Sequence, residues 1–387
     1  MSVSCRPVAW NNWKSLFTLL MAMAIGSSPV WAQEANDLEK TRQQAVAKGL
    51  KYLEEKGQAE DGSFTSRAGA GITALAVTAA LRNGQSLDSP LVSKGLKALE
   101  KYVQPDGGIY GGGRLKNYET CVAVLAFSEA NTKGDYKKIL ADAQKFLKAM
   151  QEIDGRPPED LWYGGVGYGG AGRPDLSNTT FFVEALRATE VGPDDPAIQA
   201  ALVFISRCQN LDGEGNDTQF ADKNTDGGFY YEIPKDEINP AESEERFTPN
   251  GGIRSYGTMS YSGLKSMVFA GLTKNDPRVE AVLDWVEKTY DVEANPGMGN
   301  AGLYYYYHTF ASALKAAGLS EVESGGTAHD WKADLIKELA SRQQEDGSWV
   351  NDNNRWFEND PNLATSFALM ALSYAKPATA ASETDGE

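Results

Sequence analysis

The chain has 387 residues, with 37 basic and 53 acidic side chains, a formal net charge of −16 and three cysteines. So acidic a balance argues against nucleic acid and anionic membrane surfaces as partners, and three cysteines in this length make no disulfide framework. The length exceeds one typical domain, unless the core is a ring rather than a ball.

Residues 1–32 read as a secretory signal. Arg6 and Lys14 form a basic start, Leu16 to Ile25 is apolar, and Val30-Trp31-Ala32 is a small-x-Ala cleavage pattern. The apolar stretch is short for a membrane span, so the expected product is periplasmic or secreted and not an integral membrane protein. Removal takes away two positive charges and no acids, leaving 35 basic against 53 acidic residues, net −18. Cys121 and Cys208 remain; one opens an apolar run and the other ends a different one, so two free thiols are expected.

From here charged amphipathic runs alternate with apolar runs led by a threonine. Ala45 to Glu55 precedes ITALAVTAAL (Thr73), and Val92 to Val103 precedes ETCVAVLAF (Thr120). Ala141 to Gln151 precedes NTTFFVEAL (Thr179), and Ala197 to Cys208 precedes GTMSYSGLKSM (Thr258). Val279 to Tyr290 precedes HTFASALKAA (Thr309), and Trp331 to Gln343 precedes ATSFALMAL (Thr365). The threonines stand 47 to 79 residues apart, which suits a helical hairpin plus loops repeated six times. In the second repeat Leu96, Leu99 and Val103 fall at i, i+3 and i+7 with lysines and a glutamate between them. The threonine-led runs are apolar nearly all round, as buried helices are. The expected fold is all-α, with charged outer helices around apolar inner ones.

Outer runs end at a glutamine before an acidic glycine turn: QAEDGSF from Gln58, QPDGGIY from Gln104, QEIDG from Gln151, QNLDG from Gln209 and QQEDGSW from Gln343. Repeat five uses NPGMG from Asn295 instead. Asp-Gly supplies the turn because glycine accepts φ > 0, and the following aromatic is expected to wedge between hairpins. Two insertions, Arg156 to Ser177 and Leu211 to Tyr256, each enter an inner helix and should lie over one mouth of the ring. The small, polar, acidic tail beyond residue 376 is expected to be disordered. The domain division is therefore 1–32 signal, 33–376 helical array, 377–387 tail.

The spacing Gln58/Gly62/Phe64, Gln104/Gly108/Tyr110 and Gln343/Gly347/Trp349 resembles the glutamine–tryptophan motif of squalene and oxidosqualene cyclases. YYYYHTFASAL around His308 resembles the Tyr-His-Thr helix start of protein prenyltransferase β subunits. The resemblance runs from about Leu38 to Lys376. It implies the α/α toroid (α6–α6 barrel) of the terpenoid cyclase/prenyltransferase superfamily, six inner parallel helices inside six outer ones, and an isoprenoid-like ligand. It does not imply one activity, since the fold hosts many.

In such a ring six helix N-termini converge on one mouth, favouring a polar or anionic group there. The residues before the threonines are Ile72, Glu119, Asn178, Gly257, His308 and Ala364. Glu119 and His308 are the candidate catalytic residues. Asn178, Tyr163, Tyr256 and Tyr307 are the candidate ligand-binding ones. Each has a plainer reading: Glu119 answers a helix dipole, Asn178 caps a helix, His308 hydrogen-bonds across the mouth, and the tyrosines pack. The histidine matching His308 in prenyltransferases is a zinc ligand, but the Asp and Cys that accompany it are replaced by Tyr256-Gly257-Thr258-Met259, so no metal is expected. The Asp-x-Asp-Asp acid of type II cyclases and the Gly-Cys-Gly-Glu-Gln thioester motif are missing too, and no cofactor motif occurs. Glu184 and Lys265 stand where the repeat expects apolar residues, on neighbouring inner helices about 3 Å apart in height, as an ion pair or at a wet cavity. Three readings stay open: a toroid that binds, or binds and transforms, a small or polymeric ligand at an aromatic mouth; a polysaccharide-active lyase or hydrolase; and a non-catalytic interaction module.

Overall fold

The computed structural model describes residues 30–151, 156–169, 173–213, 215–235 and 243–377. The chain divides into two units: Leu38–Pro377 carries the fold, and the other comprises residues 1–37 and 378–387, of which 30–37 are helical. The expected signal segment, up to residue 29, and the expected disordered tail, from residue 378, lie outside the described residues.

Twelve α-helices appear among the described residues. The odd-numbered ones are α1 (Val30–Tyr52), α3 (Pro90–Glu100), α5 (Lys137–Met150), α7 (Pro196–Arg207), α9 (Pro277–Thr289) and α11 (Trp331–Arg342). The even-numbered ones are α2 (Gly71–Arg82), α4 (Lys116–Ala130), α6 (Leu176–Ala188), α8 (Gly257–Phe269), α10 (Leu303–Ala316) and α12 (Pro361–Tyr374). A short antiparallel hairpin, β1 (Val322–Ser324) with β2 (Thr327–His329), joins α10 to α11 and carries His329. Each even helix packs on the next, and α12 packs on α2, so the inner ring is closed. The even helices are buried on every side, as α2 is from Gly71 through Ala80. The odd ones bury one stripe, as α5 does with Leu140, Ala143, Phe146 and Leu147. Pro follows the cap of α3, α7, α9 and α12, where the missing N–H costs nothing, and Asp195, Asp276, Asp330 and Asp360 cap with their carboxylates.

The glutamines staple the outer layer. Gln58 donates to the carbonyls of Gly62 and, at 2.9 Å, of Leu91 in α3. Gln151 reaches Gly164 and Ala197 of α7, Gln209 reaches Gly227 and Arg278 of α9, and Gln343 reaches Gly347 and Ala45 of α1. Each side-chain amide therefore ties the end of one outer helix to the next, in the first turn of α3, α7 and α9 and well along α1. Glycine is obligatory at the turn for two reasons. At Gly164 φ is +78°, and a Cβ there would collide with the Ala200 carbonyl of α7.

The expected register needs correcting in three repeats. In repeat two the staple position is one residue earlier than Gln104. Gly107 takes the positive φ of +90°, Ile109 fills the wedge, and Gln104 bonds only within its own turn, to Tyr102 and Tyr110. The wedge residue is fixed by a hydroxyl: Thr73, Thr120, Thr179 and Thr365 accept the N–H of Phe64, Ile109, Val166 and Trp349 at 2.9–3.0 Å. In repeat four Ser260 does this for Phe229, not Thr258, which is bonded instead by Asn295. In repeat five Thr309 donates back to its own helix, because the Asn295 turn has replaced the glutamine turn. Cys121 and Cys208 are both free and buried.

Candidate functional site

The N-terminal ends of all six even helices surround a cavity of about 1040 Å³. Ile72 (α2), Tyr118 and Glu119 (α4), Phe181 (α6), Met259 (α8), Tyr305 (α10) and Phe367 (α12) form its wall. A continuous run of ring contacts crosses it, from Tyr168 to Tyr118 (6.4 Å), Phe181 (5.3 Å), Tyr305 (5.7 Å) and Phe367 (5.4 Å). Such faces hold apolar chains and stabilise cations. The Tyr305 hydroxyl is anchored on Ser177 at 2.8 Å, so this ring bridges from α10 to α6 and fixes the wall.

The rim is unusual in its backbone. Tyr168, Trp356 and Phe357 are 41, 43 and 61% exposed and all line the cavity. Trp356 and Phe357 both sit at positive φ, 56° and 66°. Bulky residues in that region cost about 1–3 kcal/mol each and persist only where the surroundings impose them. Trp356 covers Gly302, where a Cβ would stand 2.9 Å from its ring, and Arg355 lies 4.5 Å over its other side. Arg67 and Arg114 also line the cavity and form no ion pair among the described residues.

Three buried carboxyls frame the site. Glu119 is 3% exposed, and its Oε2 accepts the N–H groups of Ala70 at 3.1 Å and Gly111 at 2.6 Å, tying together the loops that enter α2 and α4. Burial pushes its pKa up against those bonds. Glu358 accepts from the backbone of Tyr304 and Tyr305 and from Asn351, so a loop carboxylate caps α10. Asp175 caps α6, with Oδ1 accepting the Asn178 N–H and Oδ2 the Asn178 side-chain amide, both at 2.8 Å. Burial pushes Asp175 up to about 6, with the charge of Glu232 adding to the effect and bonds from Asn178 and Tyr231 opposing it. Tyr231 interacts with Asp175 and with Tyr168, and both tyrosines line the cavity. Asp175, Tyr231 and Tyr168 are therefore electrostatically coupled beside the cavity wall.

Of the residues singled out from sequence, Glu119 and Tyr256 meet on the wall. Asn178 stands behind it, orienting Asp175. Tyr163 lies in the turn 161–164, away from the lining. Tyr307 points outward, its hydroxyl on the Val292 carbonyl at 2.9 Å. His308 is fully buried below the cavity floor rather than on the rim. Helix α10 begins at Leu303, so His308 is already more than a turn deep. Tyr305 and His308, three apart, share the inner face, which sends Tyr306 and Tyr307 outward. Tyr305 and Trp356 belong to the tyrosine- and tryptophan-bearing mouth segments that the sequence shows, whereas Asp175 and the strap conformation of Arg355–Phe357 were not anticipated. The Asp-x-x-Asn spacing before α6 was the available sign for Asp175; the strap's geometry has no sequence signature.

Beneath the floor Glu184 and Lys265 are paired at 2.6 Å, with side chains 7 and 2% exposed. With Ser260 as the counterpart of Thr179, both lie five residues further on, level rather than 3 Å apart. Among the described residues no group of three or more His, Cys, Asp and Glu side chains is placed to hold a metal ion, and no helix is long and apolar enough to cross a membrane.

No family model and no curated protein matches the chain. Solved structures do. A type II terpene cyclase of Scytonema, MstE, in a single-site variant bound to its substrate geranylgeranyl dihydroxybenzoate, is similar with a TM-score of 0.51 and 13% identity. That match covers 89% of this chain and 99% of that one. Another variant of the same cyclase, without ligand, has a TM-score of 0.50 at 14% identity over 90 and 99%. The likeness is one of fold: the chain is an α/α toroid of the kind found in the terpenoid cyclase/prenyltransferase superfamily.

Proposed function

We propose that the chain is an exported protein that holds an isoprenoid-like, elongated apolar ligand in the toroid cavity, with a polar end of the ligand toward Arg67 and Arg114. The supporting observation is the cavity of about 1040 Å³ walled by side chains from all six inner helices, with aromatic rings from α4, α6, α10 and α12. Its size and lining suit a ligand of that kind. Carboxylates facing each other freely across the mouth would favour a glycan-active enzyme. Glu119 and Glu358 are instead each held by backbone N–H groups. An open cavity also leaves the interaction-module reading without a feature to rest on. Glu119, whose Oε2 alone takes the backbone N–H bonds, and the cavity-lining Tyr231 and Tyr168 are the groups nearest to a bound ligand for acid–base work.

Titration with geranylgeraniol, followed by tryptophan fluorescence, tests this. The wild type should saturate at one ligand per chain, and Ile72→Trp, which narrows the cavity at its wall, should weaken binding at an unchanged melting temperature. Absence of saturable binding, or binding indifferent to Ile72→Trp, overturns the proposal. Export rests on Arg6, Lys14 and the apolar run after them. N-terminal sequencing of the host's protein should begin at Gln33, and an intact Met1 in the mature protein refutes it.

A further inference from the structure

Below the cavity floor the inner helices carry ionisable residues at two heights. Glu184 (α6), Lys265 (α8) and His308 (α10) form the upper tier. Arg82 (α2), Glu129 (α4) and Tyr374 (α12) form a lower one, about a turn further on. The charges cancel in pairs: Lys265 with Glu184 at 2.6 Å, and Arg82 with Glu129 at 2.7 Å. Arg82 also donates to the Tyr374 hydroxyl.

What the pairs leave over is neutral. Neither ring nitrogen of fully buried His308 has a protein partner, and neither does the hydroxyl of Ser266, the residue after Lys265 on adjacent α8. Buried polar groups in folded proteins are nearly always satisfied, and each orphan is costly. The imidazole is held neutral, down at about 3, by burial and by the nearby Lys265 charge, with Glu184 opposing. A neutral imidazole presents one donor and one acceptor. A hydroxyl group matches that pair, whereas a charged group entering this layer loses its hydration and finds the counter-charges already taken. Phe367 separates the tiers from the cavity: it lines the cavity and also lies 5.8 Å from the His308 ring.

We propose that the His308–Ser266 layer is a second, polar subsite, which takes the uncharged hydroxyl terminus of an elongated apolar ligand once the Phe367 ring turns aside. The proposal rests on the cavity reading above and narrows its ligand class to molecules with a hydroxyl at the buried end.

The experiment titrates the protein, labelled with nitrogen-15 and with methionine methyl carbon-13, separately with 1-octanol and n-octane. The chain has two histidines, so the ring signals that survive in His329→Gln are those of His308. Both guests should move the methyl resonance of Met259 in the cavity wall, and only octanol should move the His308 ring nitrogens. Octanol should bind roughly tenfold more tightly than octane, and His308→Leu should erase that preference. Ser266→Ala should reduce it by roughly threefold, and it serves where the histidine variant does not fold. Met259 responding to both guests while His308 responds to neither overturns the subsite and leaves the cavity standing. Met259 indifferent to both guests overturns the cavity reading and the subsite with it.

Discussion

Replacing Glu184 by glutamine keeps the shape of the inner ring and removes one charge from a buried pair. Burial alone would push this carboxyl upward; Lys265 and Arg82 overcome it and bring it down from 4.5 to about 2. At 1.36 kcal/mol per unit, the ionised form contributes about 3 kcal/mol. Breaking buried pairs by deleting one partner costs about 3–5 kcal/mol, which agrees. Because the folded-state pKa lies below the unfolded one, this stability is fully present above pH 4.5 and is lost as the pH falls toward 2. Urea unfolding followed by circular dichroism should therefore show Glu184→Gln less stable than wild type by about 3 kcal/mol at pH 7, and by only about 1 kcal/mol at pH 3. The double variant Glu184→Leu with Lys265→Met should recover wild-type stability or exceed it, since apolar replacements of a buried pair are often neutral or stabilising. A single variant within about 0.5 kcal/mol of wild type at pH 7, or a deficit that ignores pH, refutes the reasoning.

Asp175 should behave in the opposite sense. Its folded-state value of about 6 lies above the ordinary 3.8, so its stabilising proton is held at low pH and lost on the way up. Stability should fall by about 2 kcal/mol between pH 4 and pH 6 on this account, and Asp175→Asn should flatten that limb; an unchanged limb shows that Asp175 is ionised throughout. Gly164→Ala should cost more than about 2 kcal/mol in the same urea assay, from positive φ and collision with α7 together, and no loss would mean the turn does not approach α7 so closely.

The ring was legible because its periodicity is redundant: six apolar runs, six charged ones and glutamine turns all say the same thing. Register was less so. Thr258 occupies the expected spot in the string, yet the structural task is to hold a wedge N–H, and Ser260 performs it two residues later. Gln104 looks like its counterparts, but its turn glycine comes three residues later rather than four, which shifts the turn by one. The candidate site suffered from the same uncertainty. His308 precedes a threonine as Glu119 does, but the altered turn before α10 gives that helix a different starting point, and a displacement of a few residues turns a rim position into a floor position. Trp356 and Phe357 look like ordinary loop aromatics in one dimension. Their left-handed backbone is imposed by packing from distant segments, which local sequence does not encode.

The staple from Gln343 to Ala45 has a consequence of its own. An open helical solenoid has two ends, from which it frays and which need polar caps. Here the last repeat grips the first through the same bond that joins its neighbours, and Arg42 reaches the Leu372 carbonyl at 3.3 Å. The start and finish of the ring are thus adjacent, and the seam between them is one of four joints held by a glutamine staple. A chain whose residues 38 and 377 are linked and which is reopened at the turn after Gln209 should still close, since where a circle is cut does not change which neighbours meet.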